Sequence, residues 1–360
     1  MWSFHHPARI EQVEGALRAA GRHIPTGGST LVVTTPGGLR RGWADEVRAG
    51  IDGAAAAYGE VASEPDLDDL DRAIERLRPQ SFSAIVAVGG GSVLDTAKVL
   101  ACMLPARGLS LQAVLREGAA YPAESIPTVA IPTTAGSGAE VTPFATVWDR
   151  REGRKRSFAS THCLPRVVLL DPALTLSLSE SDTLYPALDA ISHALESLWN
   201  RNRSPLTRAF AVEALRLLSR ALAGVLADPG DVRHRAAMQE GSLLAGLAIS
   251  HTRTALAHSI SYPLTLHHGV PHGLACSFTL VALIDRCRAL LDAEAGPDLV
   301  TSVRSLLDRL ALPSRLASYV GADEVTALTG DMLEPERASN FIESADERLV
   351  EAVLTESLHR

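Results

Sequence analysis

Asp189 and His193 stand four residues apart in the stretch PALDAISHALESLW, residues 186–199. The surrounding Ala, Leu, Ile and Glu are good helix formers, so both side chains project from one helix face, a turn apart. A carboxylate oxygen and an imidazole nitrogen brought together in this way are half of a four-ligand divalent-metal site. The alternative is a simple Asp/His contact on an amphipathic helix. The choice rests on whether the chain holds a second pair of donors.

Four of the twelve histidines fall in TALAHSISYPLTLHHGVPHGLAC, residues 254–276. His258 is expected to close one helical segment, Pro263 to break the helix, and the Gly269-Val270-Pro271 turn to deliver His272 to the start of the next. His258 and His272 on adjoining elements can face one point. With Asp189 and His193 they make a three-histidine, one-carboxylate set with room for a substrate oxygen, suited to Fe²⁺ or Zn²⁺. His267 and His268 read as loop or surface residues.

Upstream, AVGGGSVLDTAK (residues 87–98) puts Gly89, Gly90 and Gly91 between an expected strand and an expected helix. Glycines let a ligand approach the backbone, and the free amides of a helix start attract phosphate, which is the physics of a pyrophosphate cradle. The pattern is not G-x-G-x-x-G, since position 94 is Leu, and a structural turn remains the alternative. Lys98 reads either as a helix residue or as part of a nucleotide site. In PTTAGSGAEVT (residues 132–142), the hydroxyls and amides of Thr133, Thr134, Ser137 and Gly138 are suitable donors for phosphate or a carboxamide, or an ordinary Ser/Thr turn. Two such loops together favour a dinucleotide.

These stretches need elements to hold them. Up to Asp171-Pro172, β-branched runs (29–35, 83–88, 126–134, 166–172) alternate with helical segments such as 67–77, with Pro36-Gly37-Gly38 ending the first run. That alternation predicts a parallel sheet with crossover helices. Beyond it nearly every segment has helical periodicity: 186–199, 205–226, 231–250, 272–294, 298–311 and 344–357. The expected organisation is an α/β dinucleotide-binding domain over 1–178 and an all-α metal-binding domain over 179–360.

The 360 residues, 46 % hydrophobic and 21 % charged, suffice for two cores. A net charge of −8, with no basic run longer than Arg154-Lys155-Arg156, excludes nucleic acid as a partner. No apolar run approaches the ~18 residues of a membrane span and the N-terminal residues lack a signal-like apolar core, so a cytoplasmic protein is expected. Four scattered cysteines without CxxC spacing read as core or free thiols.

Taken in this order, GGGSVLDTAK, PTTAGSGAEVT, ALDAISHALES and HSISYPLTLHHGVPHG resemble the iron-containing alcohol dehydrogenases, related in fold to glycerol dehydrogenase and dehydroquinate synthase. The resemblance covers most of the chain from Phe4 to about Cys287. It implies a Rossmann-like N-terminal domain, a helical C-terminal domain and reversible hydride transfer between a nicotinamide and a small aldehyde or alcohol. It further implies that Gly89, Gly90, Gly91 and Ser92 bind the pyrophosphate with Asp95 supporting the turn, and that Thr133, Thr134 and Ser137 line the nicotinamide and phosphate side. Lys155 falls where such enzymes contact the cofactor, Asp189, His193, His258 and His272 would hold Fe²⁺ or Zn²⁺, and homodimers are frequent.

Departures sharpen the expectation. Many relatives have a histidine where this chain has Tyr262, which can donate a proton or hydrogen bond itself. NAD-preferring relatives often place Asp after the first strand; here stands Thr35 with Arg40 and Arg41 nearby, favouring NADP(H) over NAD(H). Arg253, shortly before His258, suits a carboxylate or phosphonate better than a plain alcohol, against a structural salt-bridge role. The segment resembles the phosphonate-metabolism branch, so reduction of phosphonoacetaldehyde to 2-hydroxyethylphosphonate is the specific expectation. Other small aldehydes, hydroxy acids or polyols would share the motifs, and a nucleotide-binding protein without turnover is the reading from another class.

Overall fold

Eight strands form in the computed structural model, which describes residues 2–359: β1 (Arg9–Gln12), β2 (Ser29–Val33), β3 (Ala54–Tyr58), β4 (Ala84–Gly89), β5 (Thr128–Pro132), β6 (Phe144–Asp149), β7 (Arg154–Ala159) and β8 (Val167–Leu170). Six make one parallel sheet in the order β1-β8-β5-β4-β2-β3, and β6 and β7 pair as an antiparallel hairpin. β4 is buried throughout. Ile85 and Ala87 enter one core with Leu31 and Leu94, while Val86 and Val88 enter another with Val32 and Ile131. Alternating side chains thus bury both faces, as a parallel sheet requires.

The chain divides into an α/β unit, His5–Thr134 with Ala139–Thr175, and a helical unit, Leu176 onward with Ala135–Gly138 and the residues up to Phe4. The helical unit has its own core, in which Leu188, Ile191 and Leu195 pack with Leu218, Leu222 and Phe341. Both textures seen in the residue pattern are therefore present, a crossover-linked parallel sheet and then helices. No helix among the described residues is long and apolar enough to cross a membrane.

Several elements differ from expectation. Pro36-Gly37-Gly38 opens a short helix, Pro36–Arg40, instead of a turn, because Thr35 accepts from the Gly38 amide at 3.0 Å and proline suits a first helical position. The Asp189 helix starts six residues earlier than Pro186, at Glu180, capped by the Ser179 hydroxyl on the Asp182 amide. Residues 272–294 form three short helices, His272–Ala275, Leu280–Arg286 and Arg288–Ala295. The first break is held by Ser277, whose hydroxyl donates to the Leu188 carbonyl at 3.1 Å.

Pro263 does not break a helix. It lies inside Leu256–His268, so His258 sits near the start of that helix and does not close the preceding one, which ends at Thr252. An interior proline costs about 3 kcal/mol. Leu256, Ile260 and Leu264 are fully buried on one face of the helix, and each contributes roughly 1.5–3 kcal/mol. Burial wins.

Lys98 lies in the helix Gly91–Met103 that follows the glycine turn, and only 1 % of its side chain is exposed. Its ammonium donates to Thr142 Oγ1 at 3.0 Å and the Phe144 carbonyl at 2.8 Å, with Asp95 Oδ1 at 3.5 Å. It therefore joins the helix to the start of β6 instead of facing a nucleotide. Lys98→Met would leave the Asp95 carboxylate without its buried counter-charge, a loss of about 3–5 kcal/mol. Calorimetry of the full-length variant should show a melting transition lowered by several degrees.

Candidate metal centre

The Glu180–Leu198 helix carries Asp189 and His193 on one buried face, and His193 Nε2 lies 3.3 Å from Asp189 Oδ1. The same oxygen lies 3.2 Å from Nε2 of His258 and 4.0 Å from Nε2 of His272, which opens the helix His272–Ala275. Three imidazoles from three helices thus converge on one carboxylate oxygen. The His193 and His258 rings are stacked at 4.8 Å, and the His258 and His272 rings meet edge to face at 5.3 Å.

Asp189, His258 and His272 are close enough together, with Cys276, to hold an ion, whereas His193 approaches Asp189 but stands outside that group. Tetrahedral ligand bonds near 2.1 Å separate the ligand atoms by about 3.4 Å, and the distances from Asp189 Oδ1 span 3.2–4.0 Å. Without an ion the group is electrostatically polarised. Burial would raise the Asp189 carboxyl, but His193, His258 and His272 outweigh it and hold it far below the usual carboxylate range. Burial likewise depresses His258, and the Glu196 and Asp189 carboxylates more than reverse that, lifting its pKa to about 10.

Glu196 was not singled out from the residue pattern, although it follows His193 by three on the same helix. Fully buried, it accepts from His258 Nδ1 at 2.7 Å and from the amides of Ala255 and His258 at 3.0 and 3.2 Å. A carboxylate on the far ring nitrogen turns Nε2 toward Asp189 and raises the basicity of the imidazole. The signal was present as the acidic member of the ALDAISHALES face. Cys276, four residues after His272, is a second omission. Its thiol lies 3.6 Å from Asp189 Oδ1, and one ligand atom each from Asp189, His258, His272 and Cys276 lie within 4.8 Å of one another. Burial and the Asp189 charge hold that thiol well above its usual pKa.

Gly273 shows how closely the helices approach. A Cβ there would lie 1.8 Å from the Tyr185 carbonyl oxygen, so only glycine lets His272 reach Asp189. Tyr262, one turn beyond His258, stacks on His272 with ring centroids 6.2 Å apart. Its hydroxyl accepts from Arg337 Nε at 3.2 Å. Arg253 ends the Val232–Thr252 helix at φ 66, ψ 171, a region essentially reserved for glycine that costs other residues about 1–3 kcal/mol. His267 and His268 lie at the end of the Leu256–His268 helix, outside the donor cluster.

In the α/β unit, Gly89 ends β4, Gly90 caps the following helix and Gly91 is its first residue. Thr133 donates its amide to the Gly89 carbonyl at 3.0 Å, and a Cβ on Gly90 would come within 3.0 Å of Thr134 Oγ1. The two loops therefore meet at the carboxyl ends of adjacent strands, with a helix N-terminus behind them, a cradle suited to a dinucleotide phosphate. Ser92 donates to the Ser63 carbonyl. Asp95 accepts from the Thr146 amide at 2.8 Å, which ties the helix to β6. Lys155 lies on β7 with its ammonium over the Trp148 ring. Ser137 groups with the helical unit, apart from Thr133 and Thr134.

A nucleotide-type parallel sheet followed by a helical unit with a buried histidine–carboxylate cluster defines a class of metal-dependent dehydrogenases. Residues 7–172 match the family model for iron-containing alcohol dehydrogenase, and residues 183–289 match that for the C-terminal part of the Fe-containing alcohol dehydrogenase family. The chain belongs to the iron-containing alcohol dehydrogenase family and is an oxidoreductase of alcohols and aldehydes. It is 33 % identical over 320 residues to a phosphonoacetaldehyde reductase of Streptomyces viridochromogenes, an alignment covering 86 % of this chain and 78 % of the relative. Among solved structures, it resembles an iron-containing alcohol dehydrogenase of Thermotoga maritima with 29 % identity, TM-score 0.84 and complete coverage of both chains. A sulfoacetaldehyde reductase of Bifidobacterium kashiwanohense, solved with NAD⁺, matches with 25 % identity and TM-score 0.88 over 99 % of each chain.

Two outcomes follow from the geometry. Glu196→Gln should weaken metal retention by about 10- to 100-fold, measured by competition against a chelator. Because His258 of the metal-free protein holds its proton up to a pKa of about 10, metal uptake must expel that proton. Affinity for the ion should therefore rise with pH, by up to about tenfold per unit below that value, in titrations between pH 6 and 9.

Proposed function

We propose that this enzyme reduces a small aldehyde with NADPH and a proton, giving a primary alcohol and NADP⁺, and that the aldehyde is phosphonoacetaldehyde, reduced to 2-hydroxyethylphosphonate. The convergence of His193, His258 and His272 on Asp189 carries the reading of the chemistry. The similarity to the Streptomyces reductase, and Arg253 at the corner five residues before His258, support the substrate.

Asp189, His193, His258 and His272 would hold the metal, Fe²⁺ in this reading with Zn²⁺ the alternative. Bound there, the metal would supply Lewis-acid polarisation of the aldehyde carbonyl, which favours hydride transfer from the dihydronicotinamide. Glu196 fixes the His258 tautomer so that Nε2 remains a donor to the ion. Tyr262 Oη, beside His272, supplies the proton that completes the alcohol. In the α/β unit Gly89, Gly90, Gly91 and Ser92 take the pyrophosphate through backbone amides, and Asp95 supports them by fixing the helix to β6. Thr133, Thr134, Ser137 and Lys155 contact the cofactor.

Thr35 stands after β2 where an acid would repel a 2′-phosphate, and Arg40 and Arg41 follow on the next turn, which favours NADP(H). The likeness to a sulfoacetaldehyde reductase supports a second reading, reduction of a sulfonate-bearing aldehyde.

His258→Ala should lose both bound metal, by elemental analysis of anaerobically purified protein, and at least about 10³-fold of NADPH oxidation, as expected when an electrostatic catalyst is removed. Near-normal turnover would contradict the site. In the wild type, kcat/KM should be higher for phosphonoacetaldehyde than for butanal, and higher with NADPH than with NADH. The reverse order in either pair would remove that part of the proposal.

A further inference from the structure

Arg337 lies about 65 residues beyond the last of the donor histidines and outside every motif, yet the fold returns it to their edge. The short helix Pro335–Ala338 carries it, and its side chain is only 15 % exposed. Arg337 Nε donates to Tyr262 Oη, and the Tyr262 ring in turn stacks on His272. A guanidinium is thus one phenol away from the point on which the histidines converge.

The same segment is tied to Arg253. Asn340, one turn beyond Arg337, donates to the Thr254 carbonyl at 2.9 Å, and Asn200 donates to the Arg253 carbonyl at 3.1 Å. The Arg201 amide donates to the Asn340 carbonyl at 2.8 Å. The glycine-like corner at Arg253 is therefore pinned by two segments, by Asn200 at the Arg253 carbonyl and by Asn340, near Arg337 in the chain, at the Thr254 carbonyl. The two guanidiniums feel each other: burial first, and then Arg337, lower the Arg253 pKa. Two acids also lie near Arg337. Glu336 Oε2 is 3.3 Å away but 75 % exposed, and Glu334 Oε2 is 3.9 Å away. Burial lowers the Arg337 pKa, but Tyr262 and these two acids more than reverse that, so the guanidinium stays charged.

We infer that Arg337 and Arg253 form an anion subsite beside the metal centre, with Tyr262 as the bridge, and that it selects aldehydes carrying an acid group on the carbon next to the carbonyl. Arg337 is in this view the specificity residue that the substrate class turns on. Guanidiniums suit this role, since their flat arrays of donors match the oxygens of phosphonate, sulfonate or carboxylate. The inference rests on the reading of the site as an aldehyde reductase.

The test is a ratio. With the metal-loaded enzyme, kcat/KM is measured for phosphonoacetaldehyde, sulfoacetaldehyde and neutral propanal, in the wild type, Arg337→Ala and Arg337→Lys. The wild type should favour an anionic aldehyde over propanal, and Arg337→Ala should reduce that preference by roughly 10- to 100-fold, mainly through KM. Arg337→Lys should restore part of it. Calorimetry with ethylphosphonate, which has no carbonyl to reduce, should show weaker binding in Arg337→Ala than in the wild type. A loss falling equally on propanal and the anionic aldehydes, or unchanged ethylphosphonate binding, overturns the subsite. Wild-type preference for propanal overturns it as well. If sulfoacetaldehyde surpasses phosphonoacetaldehyde while the ratio still collapses in Arg337→Ala, the named substrate fails and the subsite stands.

Discussion

The buried Asp189 carboxylate is the constraint around which the helical unit is arranged. A carboxylate this far from water is stable only with compensating donors, and three imidazoles supply them from three separate helices. His258 lies between two acids, 2.7 Å from Glu196 on one ring nitrogen and 3.2 Å from Asp189 on the other. One carboxylate aims the ring and the other shares the site. Holding three helices at this spacing leaves no room for bulk: Gly273 passes under the Tyr185 carbonyl, Ser192 donates to the Cys276 carbonyl at 3.2 Å, and Ser277 donates to the Leu188 carbonyl. Small side chains let the backbones approach, and their hydroxyls satisfy carbonyls that packing would otherwise strand.

The α/β unit solves a different problem, which is to present loops from a rigid base. β5, β4 and β2 are adjacent in the sheet, and after them come Thr133-Thr134, Gly89-Gly90-Gly91 and Thr34-Thr35. Ligands of open parallel sheets sit at the carboxyl ends of the strands, so three neighbouring strands converge on one binding edge. Thr34 donates its hydroxyl to the Val88 carbonyl at 2.8 Å, which joins the Thr34-Thr35 loop to the end of β4, just before the glycines. Lys98 and Asp95 then hold the helix that follows the glycine turn to the start of β6. The two lysines have separate tasks: Lys98 is interior, and Lys155 lies on the hairpin.

What was legible in the residue pattern was local. Leu67–Leu77 appears with the expected bounds because its apolar residues keep helical spacing, and the histidine–carboxylate set was readable because Asp189 and His193 share a helix face. β3 escaped notice because it is a run of alanines, which carries no β-branched signal. Pro263 misled for a related reason. Proline reports a local cost, while the helix through it is stabilised by aliphatic contacts with residues distant in sequence. Glu196 and Cys276 were in plain view as residue types, but their roles depend on which way a ring turns and which helix lies opposite. Arg337 had no local signal at all.

Arg253 sits on a backbone corner that also sets the place of His258. Glycine would occupy φ 66, ψ 171 without strain, and the chain has arginine there. The corner cannot simply relax, because it turns the chain out of the Val232–Thr252 helix and into Leu256–His268, and that turn sets His258 against Glu196 and Asp189. Asn200 and Asn340 hold its carbonyls, so the strain is borne by hydrogen bonds from two distant segments. A residue kept in a glycine conformation when glycine would serve the backbone better is there for its side chain. The corner that sets His258 against Glu196 and Asp189 is then also the corner that carries a guanidinium, and a change to the one is felt by the other.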